Sequence, residues 1–318
     1  MKRARTPQIA PALLAAVAAL LAGCGQTRAG APLGLDPVAA LPASQTSHVV
    51  TIVMENKESS DVIGNPAAPY ENTLERRYGL ATQSYAITHP SLPNYLALTS
   101  GSTHGVTSDC TDCHFGARNI VDQLEAARIS WRAYLEAVPG RCFTGSGAGG
   151  YAKKHNPFIY YDDIANSPRR CRNLAGFAAL TADLRRGALP TYAWVSPNLC
   201  DDTHDCAVGT GDRFLARLVP ALLREIGPRG FVVITWDEGS SGAGCCGGAA
   251  VGGRVATIVA GPQVRRGARA TTPVDHYGVL GTIEAALGLP PLGGAADPRN
   301  GRLDSLFVRP PRLRSAVH

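Results

Sequence analysis

Two short acidic motifs stand directly behind apolar runs. Glu55 and Asn56 follow "HVVTIVM" (48–54), and Asp237 and Glu238 follow "FVVITW" (231–236). Asn198 comes just after "TYAWVS" (191–196). Runs of this kind read as strands buried on both faces. In an open parallel sheet the carboxyl ends of the strands form one edge, and ligands bind there. Carboxylates delivered to one edge repel each other unless a cation lies among them. Hard oxygen donors suit Mg²⁺, Mn²⁺ or Ca²⁺, and added histidines admit Zn²⁺ or Fe. By itself "WDEG" is a helix N-cap with a solvated neighbour. "MEN" on a second strand is what favours a site for one or more divalent metal ions, held by Glu55, Asn56, Asp237 and Glu238.

Such a metal needs a group to activate. Ser91 lies in "THPSLPNYLALTSG" (88–101), between Pro90 and Pro93, which restrict the local backbone. The residues after it read as a helix. A hydroxyl there would face backbone amides and the positive end of the helix dipole, which favour an oxyanion or phosphate. A metal-bound hydroxyl loses its proton more readily and becomes nucleophilic. The plainer reading of Ser91 alone is a helix cap. His155 and His204 sit in "KHNPF" and "DDTHD". His89 is read as shaping the turn beside Ser91, and His104 and His114 receive no role.

The elements that must hold these groups alternate along the chain. "ISWRAYL" (129–135) and "RVATIVAG" (254–261) are also strand-like. Helical patterns cover 119–128, 178–187, 211–227 and 276–289. The third has Asp212 at its start and Pro220 inside, which predicts a kink or break. Alternation predicts an α/β fold with a mostly parallel central sheet flanked by helices. The glycine-rich "TGSGAGGY" and "GSSGAGCCGGAAVGG" read as loops, and the Pro/Arg-rich tail after Gly293 as peripheral.

With 318 residues, 45% hydrophobic and 18% charged, the chain suits one large domain or two small ones. Its net charge of +6 is scattered. Without a basic stripe carrying interleaved aromatics, a nucleic-acid partner is disfavoured, whereas anionic substrates and lipid surfaces are not. Residues 1–24 read as a targeting segment: a basic "MKRAR", an apolar "APALLAAVAALLAG", and a "LLAGC" end similar to a bacterial lipobox. Lipidation at Cys24 would anchor an exported chain to a membrane surface, at the cell surface or in the periplasm; without lipid it would be secreted. Residues 25–46, rich in Gly, Ala and Pro, read as a flexible tether, and 47–310 as the catalytic domain.

Nine cysteines less Cys24 leave eight, and an even number in an exported chain points to disulfides. Closeness favours Cys110–Cys113, Cys142–Cys171 and Cys200–Cys206. The remainder, Cys245 and Cys246, would form a strained vicinal pair, which counts against at least one of these pairings. "CTDC" is also half of a zinc motif, but no second half exists.

Taken together, "VMEN", "DVIG", "THPSLPNYLALTSG", "KHNPF", "PNLCDDTHD", "TWDEG" and "HYGVLGTIEAALGL" resemble, in type and order, the phosphoesterase family. That family holds metal-dependent bacterial acid phosphatases and non-specific phospholipases C, within the alkaline phosphatase superfamily. The resemblance covers roughly 47 to 292. It implies an alkaline-phosphatase-like fold, metal ligation by Glu55, Asn56, Asp237 and Glu238, and Ser91 as nucleophile. It also implies proton transfer or phosphate binding by His204 and His155, and substrate contacts from Asn94, Asn198 and His276. Where the phospholipases C continue "EN" with Arg-Ser-Phe-Asp, this chain has "ENKESSD"; where they have "DEHGG", it has "DEGSSG". These departures favour a phosphomonoesterase acting through a phosphoseryl intermediate. A phospholipase C or phosphodiesterase acting on phospholipid is the alternative, and a non-catalytic surface-binding lipoprotein a second one.

Overall fold

The computed structural model describes residues 46–313. The expected signal segment, Cys24 and the tether through residue 45 lie outside the described residues. The strands of the central sheet are β1 (Val49–Met54), β2 (Gly79–Tyr85), β3 (Trp131–Leu135), β4 (Leu174–Ala175), β5 (Tyr192–Ser196), β6 (Phe231–Trp236), β7 (Arg254–Ala260), β8 (Ala268–Ala270) and β9 (Val274–Asp275). Their order is β8-β2-β7-β6-β1-β5-β3-β4, with β9 also beside β2. Every pairing is parallel except those of β7 with β2 and β6. The helices that cover this sheet are α1 (Pro69–Arg77), α2 (Ser91–Ser100), α3 (Ile120–Ala126), α4 (Phe177–Arg186), α5 (Val208–Glu225) and α6 (His276–Leu287).

The continuous apolar runs have a direct physical explanation. Side chains alternate across a strand, so a strand covered on both faces needs apolar residues at every position. Val49 and Val53 of β1 enter one core with α2, α3 and α6, while Val50, Ile52 and Met54 enter the opposite core with α1, α4 and α5. Each such side chain contributes about 1.5–3 kcal/mol by leaving water, and both cores clamp β1 at the centre of the sheet.

All five strand-like runs form strands, and the four helical patterns form helices. The missed elements are polar or short: β2 is "GLATQSY", and β4, β8 and β9 have two or three residues. Helix α5 continues through Pro220 and begins at Val208. Asp212 therefore does not start its own helix. Its Oδ1 accepts the Tyr70 and Glu71 amides at 2.8 and 2.9 Å, so it caps α1 instead. The tail is not peripheral either: Leu303, Leu306 and Phe307 are buried, Phe307 packs edge-on against Phe231, and the Leu313 amide donates to Ala286 O at 2.8 Å. Apolar residues between the prolines and arginines decide this. All eight described cysteines are paired, as Cys110–Cys113, Cys142–Cys171, Cys200–Cys206 and the vicinal Cys245–Cys246. "CTDC" is thus a disulfide. No helix among the described residues is long and apolar enough to cross a membrane.

Candidate active site

The carboxyl ends of the strands converge. Glu55 leaves β1, Asp237 and Glu238 leave β6, Asn198 follows β5, His276 follows β9, and Ser91 opens α2 after β2. Ser91, Glu55 and Asp237 are fully buried. The Ser91 hydroxyl lies between two carboxylates, 3.2 Å from Glu55 Oε2 and 3.2 Å from Glu238 Oε1. The Asn56 amide donates to Asp237 Oδ1 at 3.0 Å, and Asn56 takes the left-handed backbone conformation (φ 56°) that asparagine tolerates. The other oxygen of Asp237, Oδ2, has no partner. Two clefts, of about 570 and 440 Å³, lie at the opposite, amino edge around Arg128 and Ile129 and contain none of these residues. Convergent chemistry, not cavity size, locates the site.

Glu55 has partners on its other side. Tyr95 Oη donates to its Oε1 at 2.5 Å, and His155 Nε2 lies 3.1 Å from the same oxygen. His155 Nδ1 is 3.1 Å from Asp202 Oδ2, and the imidazole stacks on the Tyr95 ring at 5.4 Å. The His155 Nε2 and Asp202 Oδ2 approaches are charge contacts rather than aligned hydrogen bonds. Glu55, His155 and His204 offer ligand atoms within 4.8 Å of one another.

The electrostatics follow from this crowding. Burial would lift the Glu55 carboxyl, but the neighbouring His155 charge overrides it and holds the group at about 2. Burial would lower His155, and Glu55 and Asp202 instead lift it to about 10, so it is an imidazolium at neutral pH. Asp237 is pushed well above the carboxylate range by burial and then by Glu55 and Glu238. Glu238 is raised chiefly by burial, against the opposing effect of His89. Two carboxylates at one hydroxyl, and beside them the Asp237 carboxyl with a buried oxygen left unpaired, form a donor set that suits a divalent cation.

A model described as "Phosphoesterase family" matches residues 54–290. The chain belongs to the phosphoesterase family. It is 32% identical over 270 residues to a phosphatidylinositol-3-phosphatase of Mycobacterium tuberculosis, covering 83% of this chain and 86% of that one. It is 29% identical over 307 residues to a phosphate-repressible acid phosphatase of Penicillium chrysogenum, covering 88% and 72%. Its fold is similar to that of an alkaline phosphatase superfamily protein from Vibrio parahaemolyticus (TM-score 0.53, 13% identity, covering 78% and 68%). It is also similar to that of the lipoteichoic acid synthase LtaP from Listeria monocytogenes (TM-score 0.55, 11% identity, covering 81% and 76%). The protein is a hydrolase acting on phosphoric esters.

Within this phosphoesterase the residues predicted to contact substrate, Asn94, Asn198 and His276, have partners of their own in the protein. The side-chain amide of Asn94 is fully engaged in the turn before Ser91. Its Oδ1 accepts the Ile87 and Thr88 amides, and its Nδ2 donates to Thr88 O and Pro90 O. Asn198 likewise closes its own turn, accepting the Cys200 and Asp201 amides and donating to Asp201. His276 is wholly buried, held neutral by burial at about 4, and donates from Nε2 to Asp237 O at 2.6 Å. It supports Asp237 from behind. The second amide of α2, Leu92 N, is not open to an anion, since it already donates to Asp109 Oδ1 at 2.9 Å.

Other residues were missed. Tyr95 and Asp202 flank Glu55 and His155, Lys154 Nζ lies 3.2 Å from His204 Nε2 and 2.9 Å from Asp109, and His89 pairs with Glu238 rather than merely shaping a turn. "SLPNY" placed Tyr95 one helical turn beyond Ser91, on the same face. That spacing was a usable signal; no comparable one marked Asp202.

Proposed function

We propose that this phosphoesterase is a metal-dependent phosphomonoesterase that works through a phosphoseryl intermediate. The observation that carries the reading is the Ser91 hydroxyl between Glu55 and Glu238, with the unpaired Asp237 Oδ2 in the same buried cluster. Glu55, Asp237 and Glu238, with Asn56 beside them, would hold a divalent ion, which supplies charge to acidify the hydroxyl and to offset phosphoryl charge. Ser91 Oγ, its proton passing to Glu238 Oε1 3.2 Å away, attacks phosphorus and the ester oxygen leaves. His204 gives that oxygen its proton: it is part-exposed beside Lys154, whereas His155 is buried between two carboxylates. Water then cleaves the phosphoserine. The two relatives are both named as phosphatases, which supports a monoester substrate over a diester. The lipobox-like "LLAGC" supports tethering at Cys24, which mass spectrometry of the membrane fraction would check.

The test uses p-nitrophenyl phosphate with added Mn²⁺ or Mg²⁺. Hydrolysis should vanish in EDTA and in Ser91→Ala, which should fold normally. Faster turnover of bis-p-nitrophenyl phosphate or phosphatidylcholine would overturn the monoesterase reading, and an active Ser91→Ala would overturn the nucleophile.

A further inference from the structure

We propose that Glu58 is a positioning residue: it clasps both ends of the Gly239–Gly253 loop and thereby keeps Glu238 and His89 in register with Ser91. This rests on the metal-site reading above, but its geometry is separate. Glu58 Oε1 accepts the Ser240 and Ser241 amides at 3.1 and 2.9 Å, and Oε2 accepts the Arg254 amide at 3.2 Å. One carboxylate thus ties the chain leaving Glu238 to the chain entering β7. Backbone amides bonded to a charged acceptor are held roughly twice as strongly as in a neutral pair.

The loop transmits this hold to the site. Ser241 O meets His89 Nε2 at 3.1 Å, His89 Nδ1 pairs with Glu238 Oε2, and Glu238 Oε1 reaches Ser91 Oγ. The far side of the loop bonds to the segment leading to Ser91, through Val251 N to Ile87 O and Gly252 N to Ala86 O at 2.9 and 3.0 Å. Glu58 is itself anchored, since its amide donates to Asp61 Oδ2 at 3.0 Å. Two glycines make room for it: a Cβ on Gly239 would lie 2.4 Å from Glu58 Oε1, and one on Gly253 2.6 Å. Side chains at either end of the loop would displace the carboxylate.

The experiment compares the full-length chain with Glu58→Ala, Glu58→Gln and Gly239→Ala. Mn²⁺ is titrated calorimetrically, and kcat and KM are measured on p-nitrophenyl phosphate. Support residues behind metal ligands typically contribute about 10–100-fold in metal affinity or activity. Glu58→Ala should show losses of that order in Mn²⁺ affinity and in kcat, with little change in KM. Glu58→Gln keeps an oxygen for Ser240 and Ser241 and should recover most of both. Gly239→Ala should weaken Mn²⁺ binding by itself but add little to Glu58→Ala, because the two act on one contact. A folded Glu58→Ala within twofold of wild type in affinity and kcat overturns the proposal. If Glu58→Ala does not fold, a wild-type-like Gly239→Ala overturns it. If the wild type binds no Mn²⁺, the metal reading fails, and the kcat ranking of the variants still decides the role of Glu58.

Discussion

Glu55 and Glu71 are equally hidden, at 0% and 1% exposure, yet they end in opposite states. Glu55, behind β1, meets Tyr95, Ser91 and His155, and is ionised far into acid. Glu71, in the first turn of α1, has no partner for either oxygen; burial, and then the Asp212 charge, push it up to about 8. Depth is common to both, so depth does not decide charge. The imidazolium beside Glu55 does. A carboxylate kept ionised in a dry site is available to a cation or a hydroxyl, whereas Glu71, neutral and with no partner for its oxygens, serves packing.

The largest test of this contrast is activity. Glu55→Gln should lower kcat/KM on the order of 10³-fold, as loss of a main charge-stabilising group does, and Glu71→Gln should stay within about twofold. Similar losses in both would break the comparison. The next concerns stability. His155→Phe keeps a ring against Tyr95 but leaves Glu55 and Asp202 without a counter-charge, and breaking a buried pair in this way costs about 3–5 kcal/mol. Urea unfolding at pH 7 would measure it, and an unchanged midpoint would show that His155 is not what holds Glu55 ionised. The smallest effect sharpens the Glu71 half. Its carboxyl is raised from 4.5 in the unfolded chain to about 8, so the stability of its neutral form is full below pH 4.5 and is lost as pH climbs toward 8. The loss is ~1.4 kcal/mol per pH unit. Glu71→Gln lacks this slope, so its unfolding free energy in urea should gain on the wild type by about 2–3 kcal/mol between pH 5 and 7. A constant difference across that range would mean that Glu71 has a partner in solution.

Much of the fold was legible because its signal is local. β1, β5 and β6 announce themselves by unbroken apolar runs, and their acidic ends mark one sheet edge. β2 was not legible: "GLATQSY" is polar, yet it is enclosed by β7, β8 and β9 and holds its place by ladder bonds. The site divides in the same way. Glu55, Asp237, Glu238 and Ser91 could be named from motif and position. The partners that Asn94, Asn198 and His276 find within the protein could not, since an amide or imidazole looks alike in sequence whatever it meets.

By itself the sequence determined which segments are buried, their α/β alternation, and which oxygen-bearing residues stand at the strand ends. Burial sums over neighbours in the chain and has no preferred direction, so it can be read along the chain. The tertiary structure alone decided that Ser91 lies between carboxylates 36 and 147 residues away, that His155 charges Glu55, and that Asp109 occupies the start of α2. Hydrogen bonds and ionisation depend on the distance and angle between particular atoms, and only folding brings those atoms together.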